Sequence, residues 1–305
     1  MPPFPSPTTI WHDKAYSEIS PSRPELSARG KTVLITGGGT GIGAESGRRF
    51  AQAGAARIAL LGRREQPLLD TRASIQQDFP AVEVFVASTD VTQKSAVDAA
   101  FHQFLSATGQ IDVLVSNAAI VGPQTLVASA AGERFLNAIE QHLHGAFWVA
   151  QAFLRHAAPD AVVIETSSSA AHINLGTGFG SYSVAKMAVF RFWDFVGAEN
   201  PTLRVYHVQP GVVDTAMNRE SGGVKMVGFE DNVDLPASFY VWLASPEARF
   251  LKGKYLWANW DVNELKQNAD EIQSTARFTI QLYGWPFDTD GWRLHWKSGG
   301  AEDLA

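Results

Sequence analysis

From Lys31 onward, short runs of β-branched and apolar residues alternate with longer stretches whose apolar positions recur every three or four residues. The short runs predict strands at residues 32–36, 57–61, 83–87, 112–116, 161–166, 204–208 and 254–258. The longer stretches predict helices at residues 42–53, 65–78, 93–107, 132–156, 181–199 and 235–244. Strand cores such as Val33-Leu34-Ile35 are apolar throughout, as parallel strands covered on both faces require. This rhythm predicts an α/β fold: a single doubly wound domain over residues 31–261, with a mostly parallel seven-stranded sheet and helices on both faces. Within 181–199, Ala185, Ala188, Val189, Phe192, Phe195 and Val196 share one side at helical spacing. Phe190 and Trp193 add apolar surface on the opposite side.

The flanks break the pattern. Residues 1–30 are proline-rich and polar without a period, which predicts an extended N-terminal arm on the surface, docked through Phe4, Trp11 and Tyr16. Residues 215–234 contain glycine and no clear period, so they read as a mobile loop of functional length. Residues 262–305 read as a C-terminal extension packing on the domain or a neighbouring subunit, with a helix near residues 263–283. No internal repeat is evident.

Composition acts mainly by exclusion. With 305 residues, 45% of them hydrophobic, the chain can bury a large single core. A net charge of −6 and no basic run give no reason to expect a nucleic-acid partner. The chain has no cysteine, so thiol nucleophiles, disulfides and thiolate metal sites are ruled out, and no metal site is expected. The N-terminus lacks the apolar run of a signal peptide and no segment is long and apolar enough to span a bilayer, so a cytoplasmic protein without a membrane partner is expected.

Two features carry chemistry. The first is Thr36-Gly37-Gly38-Gly39-Thr40-Gly41-Ile42-Gly43, between a predicted strand and a predicted helix. Glycines permit positive φ and close backbone approach, and a helix N-terminus offers free N–H groups to a diphosphate. At the end of the second strand, where an acidic residue would bind a ribose 2′-hydroxyl, stands Gly62-Arg63-Arg64. Arginine suits a 2′-phosphate, so NADP(H) is favoured over NAD(H) unless both arginines are merely solvated. The second feature is Tyr182 and Lys186, four apart on a predicted helix and therefore on one face. An ammonium beside a phenol stabilises the phenolate, which suits general acid–base work.

With these elements in order, the chain resembles the short-chain dehydrogenase/reductase family from about Gly30 to Asp261. The matching motifs are the glycine turn, Asp90-Val91, Asn117-Ala118-Ala119, Ser167-Ser168, Tyr182-x-x-x-Lys186 and Pro210-Gly211-Val212-Val213-Asp214-Thr215. The long arm and tail look like a subgroup common in filamentous fungi, with a place in secondary metabolism. The resemblance implies a Rossmann-type domain and an NADP(H)-dependent oxidoreductase acting on a carbonyl or the corresponding alcohol. It implies that Tyr182 exchanges the proton, that Lys186 assists it and holds the nicotinamide ribose, and that Ser168 polarises the carbonyl. Ser169 is the rival serine, because it lies 13 residues before Tyr182. Cofactor contacts are implied for Gly37, Thr40, Gly41, Ile42, Gly43, Arg63, Asp90, Val91, Asn117, Pro210, Gly211, Val213 and Thr215. A helix N-cap is the plainer role for Asp90 and Thr215.

Two departures stand out. Asn117-Ala118-Ala119 replaces the family's Asn-Ala-Gly, and His142-Leu143-His144-Gly145 stands where the family usually has a catalytic asparagine in Asn-Leu-x-Gly. His142 can keep the backbone role of that asparagine, relay protons through its ring, or fill space. A rim at residues 172–180, with Ile173, Leu175 and Phe179 between glycines, and a lid with Met217, Met226, Val227 and Phe229 favour a hydrophobic substrate. Reuse of the scaffold for cyclisation, dehydration or isomerisation is the alternative within enzymes, and a non-catalytic NADP(H)-binding or assembly protein the alternative outside them. Phe135, Phe147, Trp148, Phe153, Phe190, Phe192, Trp193 and Phe195 exceed one core-facing stripe, which predicts a homodimer or homotetramer unless the arm or tail covers them.

Overall fold

The computed structural model describes residues 3–281 apart from Leu175. Strands β1 (Thr32–Thr36), β2 (Arg57–Gly62), β3 (Glu83–Ser88), β4 (Ile111–Ser116), β5 (Ala157–Thr166), β6 (Arg204–Gln209) and β7 (Tyr255–Trp257) form one sheet in the order β3-β2-β1-β4-β5-β6-β7. Every pair is parallel. Helices α1 (Gly41–Gln52), α2 (Glu65–Asp78), α3 (Lys94–Thr108), α4 (Gly132–Leu154), α5 (Gly180–Glu199), α6 (Ala216–Glu220), α7 (Val224–Val227), α8 (Asp234–Ala244), α9 (Val262–Gln267) and α10 (Ala269–Ser274) complete the described chain. The expected doubly wound fold is present. Strand order reverses between β1 and β4, which opens a crevice at their C-terminal ends.

The pleat explains the two layers. Val33 and Ile35 of β1 enter a core shared with α1, α2 and α8, whereas Leu34 enters the core beneath α3, α4 and α5. A strand buried on both faces has no polar side to give, hence its unbroken apolar run. On α5 the inward face is Ala185, Val189, Phe190, Trp193 and Val196, while Phe195 is exposed beneath the Arg191 guanidinium. The stripe expected from spacing is therefore rotated. The two aromatics assigned to the opposite side are core residues, because α5 is gripped by both the sheet and α4.

Residues before Lys31 lie against the C-terminal part of the domain. Trp11 bridges Trp260, Tyr16 accepts from Val262 N at 3.0 Å, and Ile19 and Leu26 are buried in the α8-side core. Phe4 meets both Trp257 and Phe229, so the arm touches the lid segment as well as β7. The loop expected at residues 215–234 contains α6 and α7 and is pinned at its base by a bridge between Val213 and Asp231. Short polar helices carry too little apolar period to be read from sequence. The helix expected near 263–283 is instead α9 and α10, broken at Asn268, whose side chain turns back to Glu264 O at 2.8 Å. Tyr283, the remainder of the tail to residue 305 and the Met226 side chain lie outside the described residues, as does Leu175 of the rim. Among the described residues no helix is long and apolar enough to cross a membrane.

Candidate active site

The glycine turn closes the crevice between β1 and β4. Gly37 and Gly41 have φ of +69° and +54°, which side chains rarely tolerate. A Cβ on Gly43 would lie 2.3 Å from Gly37 O and 2.8 Å from the Asn117 amide, so α1 can start this close to the turn only with glycine there. Thr40 stands at the N-cap of α1 in an extended conformation, and its side chain accepts no hydrogen bond from the helix. The first N–H groups of α1, at Gly41, Ile42 and Gly43, thus point out of a helix end with no intrahelical acceptor. This cradle fits the diphosphate of a dinucleotide.

The neighbouring strand ends are tied to it. Asn117 donates through Nδ2 to Thr36 O at 3.0 Å, and the N–H groups of Asn117 and Ala118 both donate to Thr36 Oγ1. Asn117 therefore braces the turn. Asp90 accepts from Thr92 N and Thr92 Oγ1 in a tight turn ahead of α3, rather than capping that helix. Val91 touches the position where a Cβ on Gly145 would lie, at 3.0 Å, which explains the glycine after His144. Arg63 and Arg64 follow β2, are exposed, and form no ion pair among the described residues.

On the far side, Gly211 has φ +91° and a Cβ there would lie 2.6 Å from Asp231 Oδ2. Asp231 is 1% exposed and accepts from Val212 N at 2.6 Å and from Asn259 Nδ2 at 2.9 Å. Burial raises its carboxyl above the usual carboxylate range, against these hydrogen bonds. Asp231 thus fixes the segment Pro210 to Val213. Sequence reading missed it, since a single aspartate in an aperiodic loop carries no signal. Thr215 caps α6, accepting from Asn218 N at 3.1 Å, and its methyl rests against Gly41. The plainer N-cap role thus holds for Thr215, at a position that still borders the cradle.

Helix α5 brings Tyr182 and Lys186 to the mouth of the crevice. Lys186 is 4% exposed, its ammonium donates to Thr166 O at 2.7 Å, and it lies 5.8 Å from the centre of the Tyr182 ring. Ser168 opens a single helical turn beyond β5, where its hydroxyl accepts from Ala170 N at 3.2 Å. The hydroxyl proton stays available to a ligand oxygen. Ser169 lies within that turn, and its N–H donates to Gln209 Oε1 at 3.1 Å.

His142 sits behind these groups, with its ring edge-on to Tyr182 at 6.1 Å. Its Nε2 lies 2.8 Å from Ile120 O and 3.4 Å from Ile120 N, and the shorter contact makes Nε2 the protonated nitrogen. Burial, reinforced by the Lys186 charge, depresses its pKa from 6.5 to about 4. The ring is neutral at pH 7. His172, just past the serines, accepts from Trp257 Nε1 at 3.2 Å and lies against the rings of Tyr255 and Trp257.

A strand–glycine turn–helix cradle beside a Tyr/Lys pair at the switch point of a parallel sheet defines a nucleotide-dependent oxidoreductase. A family model described as short chain dehydrogenase matches residues 31–223, and the chain belongs to the short-chain dehydrogenase/reductase family. It is 34% identical over 283 residues to short chain dehydrogenase/reductase AacuD of Aspergillus aculeatus, spanning 92% of this chain and 97% of that one. A short chain dehydrogenase/reductase of Claviceps purpurea is 32% identical, spanning 92% and 95%. These fungal relatives match well beyond residues 31–223, in line with the expected fungal subgroup. Among solved structures, a putative short chain dehydrogenase from Pseudomonas syringae superposes with TM-score 0.72 at 25% identity, covering 80% of this chain and 98% of that one. A short chain dehydrogenase from Burkholderia cenocepacia in complex with NADP gives 0.70 at 23%, covering 78% and 99%, a likeness of fold.

Proposed function

We propose that this chain is a cytoplasmic NADP(H)-dependent oxidoreductase of secondary metabolism that reduces a ketone or aldehyde of a hydrophobic small molecule, or oxidises the corresponding alcohol. The observation that carries this reading is the Lys186 ammonium, buried and held at Thr166 O beneath the Tyr182 ring, one strand end away from the glycine cradle. When bound, the dinucleotide supplies the hydride. Gly41, Ile42 and Gly43 hold its diphosphate by backbone N–H groups, and Arg63 holds the 2′-phosphate. Gly211 to Val213, fixed by Asp231, border the nicotinamide end together with Thr215.

Tyr182 donates its phenolic proton to the carbonyl oxygen during reduction and recovers one from the alcohol in reverse. Ser168 donates a hydrogen bond to the same oxygen and so polarises the carbonyl. Lys186 stabilises the phenolate left behind. The ring of His142, neutral and tied to Ile120 O, fits a supporting role and not that of a proton relay, which weighs against a scaffold reused for other chemistry.

The test pairs cofactor binding with turnover. Fluorescence titration with NADPH and NADH, followed by assay against aromatic and alicyclic ketones, is expected to show tighter NADPH binding and NADPH-dependent reduction of at least one ketone. Arg63→Asp is expected to shift relative kcat/KM toward NADH. Absence of NADPH binding would overturn the reading. NADPH binding without ketone turnover would turn the reading to one of the two alternatives, a scaffold reused for other chemistry or a non-catalytic NADP(H)-binding protein.

A further inference from the structure

Beneath Lys186 the sheet carries a carboxylate that the proton transfer just described does not use. Glu165 of β5 is 1% exposed and His207 of β6 is 0% exposed, and the two stand in direct register. His207 Nδ1 lies 3.1 Å from Glu165 Oε2, and since a carboxylate only accepts, Nδ1 carries the proton. Glu165 Oε1 accepts nothing from the protein although it is buried. Desolvating a carboxylate oxygen without a partner is costly, so its retention at this place calls for a reason.

The reason lies in a cavity of about 20 Å³ whose polar wall is Ser116, His142, Glu165, Thr166 and Lys186. Thr36, three valines (Val91, Val149 and Val189) and the small residues Ala118, Gly145 and Ala146 complete the lining. That volume holds one water, and the polar wall offers it two or more partners. Lys186 has three ammonium donors, of which Thr166 O takes one. Glu165 and Lys186 therefore line one small polar space, with an acceptor on one side and donors on the other.

We propose that Glu165, oriented by His207, is a positioning residue for Lys186, which it holds beneath Tyr182 through one water in this cavity. The inference rests on the reading of Tyr182 and Lys186 as the proton-transfer pair. Charge reinforces geometry: away from bulk water a carboxylate attracts an ammonium more strongly than in solution. The other titratable groups facing Glu165 are His142 from α4, Tyr255 from β7 and Tyr240 from α8. Burial, with the Glu165 charge adding to it, pushes both of those phenols up, and His142 stays neutral above about 4. None of the three exchanges protons near neutral pH.

The test is Glu165→Gln, which keeps the shape and an acceptor oxygen but removes the charge. Loss of one charge-assisted contact predicts a kcat lower by roughly 10- to 100-fold, with KM for ketone and NADPH within about threefold of wild type. A crystal structure of the wild-type protein without cofactor is expected to show an ordered water bonded to both Lys186 Nζ and Glu165 Oε1. A dry cavity, or a folded Glu165→Gln enzyme with unchanged kcat, overturns the proposal. If Glu165→Gln does not fold, His207→Asn, which keeps a donor for Oε2, is compared with His207→Leu. Higher kcat for His207→Asn supports the proposal, and equal kcat overturns it. Wild-type protein that turns over no ketone defeats the functional reading instead, which separates the two failures.

Discussion

At the scale of single residues, the roles of Ser168 and Ser169 separate by what their groups already do. The Ser168 hydroxyl is an acceptor with its proton free, at the first position of the turn, while Ser169 is drawn into the turn by Gln209. Ser168→Ala is therefore expected to cost more turnover than Ser169→Ala, by about 10-fold or more for a lost contact to the carbonyl oxygen. Equal losses in steady-state assays would return the choice to open. His142 offers a measurement of a different kind. Its folded pKa of about 4 lies below the ordinary 6.5, so the unfolded chain binds the proton more readily between those values. Its contribution is fully present above pH 6.5 and is lost as pH falls toward 4. A depression of that size corresponds to on the order of 3 kcal/mol. Denaturation of His142→Asn from pH 7 to pH 4 is expected to show a shallower loss of stability than wild type, and parallel curves would contradict the assignment.

At the scale of elements, the cofactor loop depends on one buried contact. Gly211→Ala would place a Cβ 2.6 Å from Asp231 Oδ2 in a backbone of φ +91°, so the loop must move. Gly253→Ala, with φ +74° and nothing within 4 Å, carries the backbone strain alone, on the order of 1–2 kcal/mol. NADPH affinity is expected to fall for Gly211→Ala and to stay near wild type for Gly253→Ala, as fluorescence titration would show. The same contrast explains what could be read from sequence. The central strands and the glycine turn were legible because burial on both faces and positive φ each demand particular residue types, and the half-exposed edge strand β3 by its short apolar run. The register of α5 was not, because its inward face is chosen by α4 and the sheet together, which swaps Phe195 for Phe190 and Trp193. Asp231, Glu165 and His207 were illegible for a related reason: pairing across strands and loops leaves no period along the chain. The break at Asn268 depends on a local side-chain bond that spacing does not announce.

At the scale of the whole molecule, part of the aromatic excess on α4 and α5 is absorbed inward and part remains outside. Phe153, Phe190 and Trp193 are core residues, whereas Phe147 is 40% exposed and Phe195 53% exposed, and Leu136, Val184 and Met187 of the same two helices are exposed as well. Among the described residues the arm does not cover this face, its contacts running to α8, α9 and β7, while the tail beyond residue 281, the other expected cover, lies outside the described residues. We propose that a second subunit does, as an isologous dimer or a tetramer built from it. Sedimentation at micromolar concentration is expected to show a species of at least twice 33.1 kDa, and a single species near 33.1 kDa would contradict the dimer. Phe195→Glu would then weaken association while leaving the crevice intact.

The proton donor is the point on which the whole reading turns. Tyr182→Phe keeps the ring beside Lys186 and His142 but removes the acid. With a ketone that the wild-type enzyme reduces, single-turnover oxidation of bound NADPH is expected to slow by about 10²–10⁴-fold at unchanged NADPH affinity. A chemical step slowed less than about tenfold would show that the proton comes from elsewhere.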